Sequence, residues 1–208
     1  MTDLGKLKNA IMTGKRDEAT GIITAALAAG DDPTALLEGG MISAMREIGE
    51  KFNRNEVYVP QMLIAARAMQ AGLLLLEPVL AKAGHKSRGK ICIGTVKGDL
   101  HDIGKNLVAI MLKGAGYDVV DLGVNCDVDK YETGVGQGAT IVACSALLTT
   151  TMPYMQEVVE FFKGKNVKAI IGGAPVTQEF ADKIGAAGYS DDAYGAVKLV
   201  DALLAKTA

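Results

Sequence analysis

The sequence predicts an α/β protein in two parts: an N-terminal four-helix bundle and a C-terminal five-stranded parallel sheet of the Rossmann-like, flavodoxin-like kind. Two observations support this fold class. Up to about Gly84 the apolar residues recur at the helical period, whereas after Lys90 runs of Val, Ile and Ala alternate with helical patterns. Such alternation indicates a parallel sheet covered on both faces. We therefore expect a helical domain at 1–84, a linker at 85–89 and an α/β domain at 90–208.

The first three predicted helices lie close together in the chain. A short helix is expected at 4–11, and a second helix ends near Gly30. Asp32 followed by Pro33 is a favourable N-cap and first-turn pair, so the third helix begins there and runs to Phe52.

A polar break at 53–57 separates the third helix from a long fourth helix, which begins near Pro60 and in which Pro78 predicts a kink. The four helices together span roughly 80 residues, which is enough for an independent bundle core. The polar, Gly-flanked segment that follows them predicts the linker.

The second half alternates between strands and helices. Strands are predicted at 90–96, 117–123, 139–145, 167–172 and near Tyr189. Helices are predicted at 103–115, 128–136, 152–164, 176–186 and 192–205. This order is typical of a doubly wound sheet, which binds its ligands at the carboxyl ends of the strands.

The composition narrows the possible partners. With 22 Lys+Arg against 24 Asp+Glu, the net charge is near zero, which argues against a nucleic acid or an anionic membrane as partner. The three cysteines lack paired spacing and predict packing residues in a reducing cytoplasm. No signal peptide is apparent, and uninterrupted apolar runs such as 73–76 are too short to span a bilayer.

Three motifs follow predicted strands and should meet at one edge of the sheet. They are Asp99-x-His101-x-x-Gly104 after the first strand, the hydroxyl-rich segment 145–151 after the third, and the glycine-rich segment 172–175 after the fourth. Each motif alone has a common structural explanation as a turn, a helix cap or a solvated histidine. Their order and shared edge indicate a ligand site.

These motifs resemble the signature of cobalamin-binding proteins that hold the corrinoid base-off/His-on. The signature is matched at Asp99, His101, Gly104, Ser145, Leu147, Gly172 and Gly173. The helical half resembles the helix-bundle cap of methyl-carrying corrinoid proteins, notably around Phe52 and 58–62. The resemblance covers nearly the whole chain, and it is closest to the small corrinoid proteins of three-component methyltransferase systems and to the matching module of methionine synthase.

The resemblance implies a ligand relay beneath the cobalt. His101 is the expected lower axial ligand of the metal, because imidazole suits a borderline transition metal. Asp99 is expected to orient the imidazole from its other nitrogen. Thr151 stands where methionine synthase has a serine, so it is a candidate third member of the relay. The alternative for Thr151 is an N-cap of the following helix.

The resemblance also implies a slot for the nucleotide tail of the cofactor. Gly172 and Gly173 would let the backbone approach the tail, Ser145 would hydrogen-bond it, and Leu147 would line the slot. Gly104 would bring the start of a helix close to the corrin or the tail phosphate. The other cofactor contacts that the resemblance implies are Gly98, Asp102, Ile103 and Thr149. An apolar residue of the bundle, from Phe52 or 58–62, is expected over the upper face.

The implied function is that of a methyl carrier without catalytic activity of its own. Its cofactor would be cobalamin, a cobalt corrinoid, in the methylcobalamin form. The expected partners are a substrate-specific methyltransferase, an acceptor methyltransferase that uses tetrahydrofolate or a thiol, and a reductive activase. The methyl donor stays open among methanol, methylamines, betaines and methoxylated aromatics.

Three alternatives belong to other classes. A subunit of an adenosylcobalamin mutase would share the cobalt motif but would need a substrate barrel. A cobalamin-dependent light sensor or transcription regulator would need a DNA-binding front domain and a positive patch. A flavodoxin-like interaction domain would bind no cofactor and would be colourless when purified.

Overall fold

The computed structural model describes residues 2–83 and 87–205. The chain divides into two compact units: Met1–Ser87 with Gly114–Gly116, here called the helical unit, and Arg88–Lys113 with Tyr117–Ala208, here called the α/β unit. Within the predicted linker, His85 and the residue after it lie outside the described residues. The exact domain limits stay a prediction.

The helical unit consists of four helical runs, which fits the predicted four-helix bundle. Their elements are α1 (Leu4–Met12), α2 (Arg16–Ala28), α3 (Pro33–Ala35), a π-helical segment (Leu36–Ile42), α4 (Ser43–Asn53) and α5 (Val59–Lys82). The third predicted helix is thus one continuous run with a π-helical middle. As predicted, Asp32 caps its start by accepting a hydrogen bond from the Thr34 N–H at 3.0 Å. The fourth helix continues past Pro78 to Lys82.

Close packing explains two glycines in the π-helical segment. A Cβ at Gly40 would lie 2.6 Å from Cδ2 of Leu7 on α1, and one at Gly39 would lie 2.9 Å from Cδ1 of Leu4. The segment therefore lets α1 approach its backbone. This departure from the α-helical period was not visible as a break in the sequence pattern.

Helix α5 is the one described helix that is long and apolar enough to cross a bilayer, judged by length and composition alone. Its most apolar window has a mean hydropathy of 1.5, and 33% of that window is buried. Core helices of globular proteins meet the same criterion, so the helix is weak evidence for a membrane partner.

The α/β unit contains the predicted five-stranded parallel sheet, with strand order β2-β1-β3-β4-β5. The strands are β1 (Lys90–Thr95), β2 (Asp118–Asp121), β3 (Ile141–Ser145), β4 (Lys168–Gly172) and β5 (Gly188–Ser190). The helices are α6 (Ile103–Gly114), α7 (Val128–Gly136), α8 (Pro153–Phe162), α9 (Gln178–Ile184) and α10 (Ala193–Ala205). The five strands and the N-terminal helical region confirm the predicted fold class.

The strand register brings the three sequence motifs to one edge. Thr95, Ser145, Gly172 and Ser190, which end four neighbouring strands, lie in register across the sheet. Strand β2 is shorter than predicted, because the chain turns after Asp121, whose Oδ1 accepts the N–H of Gly123 at 2.9 Å. The sheet reverses its winding between β1 and β3, which is where doubly wound folds bind ligands.

Candidate functional site

The loop between β1 and α6 presents His101 at the carboxyl edge of the sheet. The Asp99 side chain is fully buried, whereas that of His101 is 50% exposed. Oδ1 of Asp99 accepts the backbone N–H of His101 at 3.0 Å, which closes an Asx-turn. The Thr95 hydroxyl donates to the His101 carbonyl oxygen at 2.7 Å. The backbone of the histidine is therefore held on both sides.

Asp99 joins His101 to the loop that follows β3. Its Oδ1 lies 2.7 Å from Nδ1 of His101, and its Oδ2 lies 2.9 Å from Oγ1 of Thr151. Oδ2 also accepts the N–H groups of Leu147 at 2.8 Å and Leu148 at 3.2 Å. The three residues that were predicted to form a relay are thus brought together from two different loops.

The ionisation state of Asp99 follows from this arrangement. Burial opposes ionisation, but the N–H groups of Leu147 and His101, together with the His101 ring and the Thr151 hydroxyl, outweigh it. They hold the pKa of the Asp99 carboxyl well below its usual range. An ionised carboxylate only accepts hydrogen bonds, so Nδ1 of His101 carries the ring hydrogen. Nε2 has no hydrogen-bond partner among the described residues, and in the neutral ring it is the nitrogen that carries the lone pair.

Thr151 can direct its single hydroxyl proton to either of two acceptors. Its Oγ1 lies 2.9 Å from Oδ2 of Asp99 and 2.8 Å from the carbonyl oxygen of Leu148. The helix-cap alternative is wrong, because Met152 occupies the N-cap position of α8 and no side-chain hydrogen bond caps that helix. Thr151 is buried and faces the carboxylate.

Large apolar side chains are exposed on the same two loops. Leu100 and Ile103 from the β1–α6 connection are 72% and 81% exposed, and Leu147 and Leu148 from the β3–α8 connection are 44% and 41% exposed. Asp99 joins the two loops that carry these side chains. Exposed apolar side chains of this size indicate a surface for an apolar ligand.

The other predicted cofactor contacts have surroundings that point less clearly to a ligand. Gly98 has φ +83°, and a Cβ there would lie 3.6 Å from Cγ2 of Thr151. Asp102 accepts the side-chain amide of Asn106 at 3.0 Å at the start of α6. Gly104 and Thr149 are exposed. A Cβ at Gly104 would meet no atom within 4 Å, so the surrounding chain gives no reason for a glycine there.

The chain's own backbone requires the two glycines at the end of β4, Gly172 and Gly173. A Cβ at Gly173, whose φ is +129°, would overlap the carbonyl oxygen of Ala146, and a Cβ at Gly172 would lie 2.8 Å from the carbonyl oxygen of Ser190. These glycines therefore let neighbouring loops approach one another. Any contact of theirs with a nucleotide tail would be additional to this packing role.

Sequence reasoning missed two buried polar residues beside the site. One is Thr95, at the end of β1. The other is Lys105, which is 2% exposed and whose Nζ lies 2.6 and 2.7 Å from the two carboxylate oxygens of Asp121. Lys105, Ala109 and Leu112 share the buried face of α6, so a lysine on that face was the available signal.

The cysteines do not form a metal site. Cys92, Cys126 and Cys144 are free and buried, as the packing interpretation predicted. Burial raises the pKa of the Cys92 thiol to about 12, so it is not poised as a nucleophile. Across residues 2–83 and 87–205, no group of three or more His, Cys, Asp and Glu side chains could hold a metal ion. A metal bound at His101 would therefore need most of its ligands from a source other than the described side chains, such as a cofactor.

Two family models match the chain. A model described as a B12 binding domain matches residues 89–198, and a second model with the same description matches residues 4–77. The two matched ranges fall on the two halves in which the sequence pattern changes from helical to alternating.

Curated relatives match over nearly the full length. The chain is 42% identical to a trimethylamine corrinoid protein of Methanosarcina barkeri, with 97% of this chain and 96% of the relative covered. It is 38% identical to a corrinoid protein of Desulfitobacterium hafniense, with 99% of each chain covered. It is also 39% identical to a dimethylamine corrinoid protein of Methanosarcina acetivorans, with 97% of each chain covered.

Two solved structures resemble the chain closely. One is the methanol:cobalamin methyltransferase complex MtaBC from Methanosarcina barkeri, with a TM-score of 0.86 and 29% identity over 97% of this chain and 79% of that one. The other is a cobalamin-binding protein from Desulfitobacterium hafniense, with a TM-score of 0.79 and 28% identity over 97% of this chain and 98% of that one.

Proposed function

Because the chain belongs to the family of B12-binding corrinoid proteins, we propose that it holds cobalamin base-off/His-on and carries a methyl group between two methyltransferases. The observation that supports this proposal most is the buried Asp99 carboxylate, which lies 2.7 Å from the His101 ring and 2.9 Å from the Thr151 hydroxyl. The arrangement leaves one imidazole nitrogen available for a metal.

The residues present fit a corrinoid. One imidazole is a sufficient protein ligand for a cobalt that a corrin ring already surrounds, in keeping with the missing three-ligand cluster among the described residues. Leu100, Ile103, Leu147 and Leu148 would give the lower face of a macrocycle an apolar surface. The bound corrinoid would supply the cobalt centre that accepts and releases the methyl group.

The relay would control how strongly His101 donates. Asp99 fixes the tautomer and orientation of the ring and, as a carboxylate, increases the basicity of Nε2. Thr151 is proposed as the outer member, since its hydroxyl proton can be directed toward Asp99 or toward the carbonyl of Leu148. Stronger donation from the Thr151 hydroxyl to Asp99 would weaken the charge that the carboxylate presents to the imidazole.

Other proposed cofactor contacts surround this centre. Ser145, Leu147, Gly172 and Gly173 would border the nucleotide tail, while Gly98, Asp102, Ile103, Gly104 and Thr149 would lie near the corrin. The helical part is proposed as the cap of the upper face. Tyr58 is 62% exposed, so it is a better candidate for contact with a ligand than Met62, which is fully buried.

The names of similar proteins support a methyltransferase as one of the proposed partners. A structure of a methanol:cobalamin methyltransferase complex resembles this chain, and relatives are named for trimethylamine and dimethylamine. We place the chain in the cytoplasm with a substrate-specific methyltransferase, a tetrahydrofolate or thiol methyltransferase and a reductive activase. Methylated amines and methanol are the first methyl donors to assay.

Reconstitution tests the axial ligand. Purified protein is incubated with hydroxocobalamin and desalted, and its visible absorption spectrum is recorded. We expect a retained base-off/His-on spectrum in the wild type and its loss in His101→Gly, because the imidazole is removed. His85→Gln is the matched control, since His85 is the other histidine in the sequence, and it should keep the wild-type spectrum.

Two results would contradict the proposal. A wild-type protein that stays colourless after desalting would indicate a module without cofactor. A spectrum unchanged by His101→Gly would exclude this residue as the ligand. Methyl transfer from trimethylamine, dimethylamine or methanol, assayed with the corresponding methyltransferases, then assigns the donor.

A further inference from the structure

Asn125, which lies between β2 and α7, has an unusual backbone conformation. Its φ is +51°, and Asn55 is the other non-glycine residue with positive φ in the part of the chain that the structure describes. This left-handed region is disfavoured for residues with a Cβ, although asparagine tolerates it better than most. The conformation therefore needs compensating interactions.

The compensation comes from two hydrogen bonds to the loop that carries His101. Oδ1 of Asn125 accepts the N–H of Gly98 at 2.8 Å. The backbone N–H of Asn125 donates to the carbonyl oxygen of Asp99 at 3.0 Å. Asn125 thus holds the Gly98–Asp99 dipeptide at both ends, although it lies 27 positions after Gly98 in the sequence.

These bonds fix the backbone from which the relay carboxylate projects. The N–H of Asp99 donates to the carbonyl of Val96 at 3.1 Å, so together with Asn125 both backbone polar groups of Asp99 are engaged. Lys130 in turn steadies the Asn125 segment, because its Nζ lies 3.2 Å from the carbonyl of Val124 and 3.4 Å from that of Asn125. Movement of Asp99 would therefore require movement of a second loop.

We infer that Asn125 is a positioning residue for the axial ligand: by holding Gly98 and Asp99, it fixes the relay carboxylate and, through it, the His101 imidazole. The role is indirect, since no bond joins Asn125 to the imidazole itself. The part that concerns axial ligation rests on the proposed cobalamin function. The part that concerns the loop stands on the hydrogen bonds alone.

Three variants isolate the side chain. Asn125→Gly keeps the positive φ and the backbone N–H but removes the oxygen that accepts the Gly98 N–H. Asn125→Asp restores an acceptor oxygen, with Lys130 as a neighbouring cation. Asn55→Gly is the matched control, because it makes the same substitution at a residue of the helical unit with φ +58°.

The first readout uses protein without cofactor. Amide hydrogen exchange at Gly98, followed by NMR, should accelerate by roughly two- to tenfold in Asn125→Gly, the range expected for one neutral hydrogen bond. Asn125→Asp should restore slow exchange, and Asn55→Gly should not change it. Equal exchange at Gly98 in Asn125→Gly and Asn55→Gly would overturn the inference.

The second readout uses hydroxocobalamin and the visible spectrum. In Asn125→Gly the equilibrium constant for imidazole ligation should fall by roughly the same two- to tenfold factor, while the cofactor is still retained after desalting. A wild-type His-on spectrum that Asn125→Gly leaves unchanged would overturn the positioning role alone. A wild type without any His-on spectrum would overturn the proposed function and this role with it, and the Gly98 exchange would still decide whether Asn125 holds the loop.

Discussion

The two units differ in where they place polar groups. Within the described chain, the buried polar or charged residues are Thr95, Asp99, Lys105 and Thr151, and all four belong to the α/β unit. The helical unit buries side chains such as Leu7, Ile23 and Met41, and its charges lie at the surface. Ion pairs of this unit such as Lys8–Glu47 and Lys51–Glu47 join side chains that are about one-third exposed.

This difference indicates that the buried polar residues of the α/β unit serve function rather than stability. Burying a polar group costs free energy unless its hydrogen bonds are satisfied, so a chain built for stability alone would have no reason to bury four of them. Asp99 is satisfied by five donors and Lys105 by a carboxylate and an amide oxygen. Thr95, Asp99 and Thr151 mark the place where the fold orients a histidine, while the helical unit relies on apolar packing.

The largest expected effect comes from Leu7 in the helical unit. Leu7→Ala should lower the free energy of unfolding by about 2–5 kcal/mol, because it leaves a cavity against the π-helical segment. Urea unfolding measures the loss. Leu74→Ala, at an exposed leucine of α5, is the control and should change stability by less than about 0.5 kcal/mol. Equal losses in the two variants would contradict the apolar-core description.

A smaller effect is expected for Lys105. Lys105→Met should cost about 1–2 kcal/mol at neutral pH, since it leaves Asp121 without its cation; the cost is limited because the Asp121 side chain is 39% exposed. Lys51→Met, which breaks a surface ion pair, should cost less than about 0.5 kcal/mol. Equal stability of the Lys105→Met and Lys51→Met variants would contradict the contrast between a buried charge in the α/β unit and surface charges in the helical unit.

The pH dependence of the Lys105 effect has a definite sign. Burial opposes ionisation of Asp121, but the hydrogen bonds from Lys105 and the Gly123 N–H, together with the charges of Lys105 and Lys113, outweigh it and lower the pKa of the carboxyl from its ordinary value of 3.8. The stability contributed by this pair is complete above about pH 4 and is lost as the pH falls through the lowered pKa. The difference between wild type and Lys105→Met should therefore shrink below pH 3.8. A difference that grows on acidification would contradict the assignment.

The smallest effect is expected for Thr95. Thr95→Val keeps the shape of the side chain but removes the hydroxyl bonded to the His101 carbonyl, and should cost about 1 kcal/mol in urea unfolding. Thr95→Ser should recover most of the loss. Thr24→Val removes a similar hydroxyl bond, of 2.8 Å, from an exposed helix position and should be nearly neutral. If the two valine variants behave alike, burial of the Thr95 hydroxyl has no special importance.

The position of the candidate site, at the carboxyl edge of the sheet, could be predicted from the sequence. Parallel strands end at one edge, so motifs that follow β1, β3 and β4 must converge there. The hydrogen bond from the His101 backbone N–H to Asp99 could also be predicted from the sequence, because it spans two residues and is typical of an Asx-turn. Periodicity located the helices, since their buried faces follow the helical repeat.

The rest depends on contacts between distant parts of the chain. Thr151 reaches Asp99 across 52 positions, and Asn125 reaches Gly98 across 27. Nothing local in the sequence distinguishes Thr151 as a relay member from Thr151 as a helix cap. Likewise, the glycine pair at the end of β4 gave no sign that Ala146 and Ser190, rather than a ligand, approach it so closely.

The central claim, that the His101 imidazole binds the cobalt, is tested most directly by electron paramagnetic resonance. Protein labelled with nitrogen-15 in its histidines is loaded with cob(II)alamin, and the nitrogen splitting is compared with that of unlabelled protein. We predict that the triplet of the unlabelled sample becomes a doublet, and that His85→Gln does not alter this change. A triplet that persists in the labelled protein would show that the axial nitrogen belongs to the cofactor's own base, and would contradict the account.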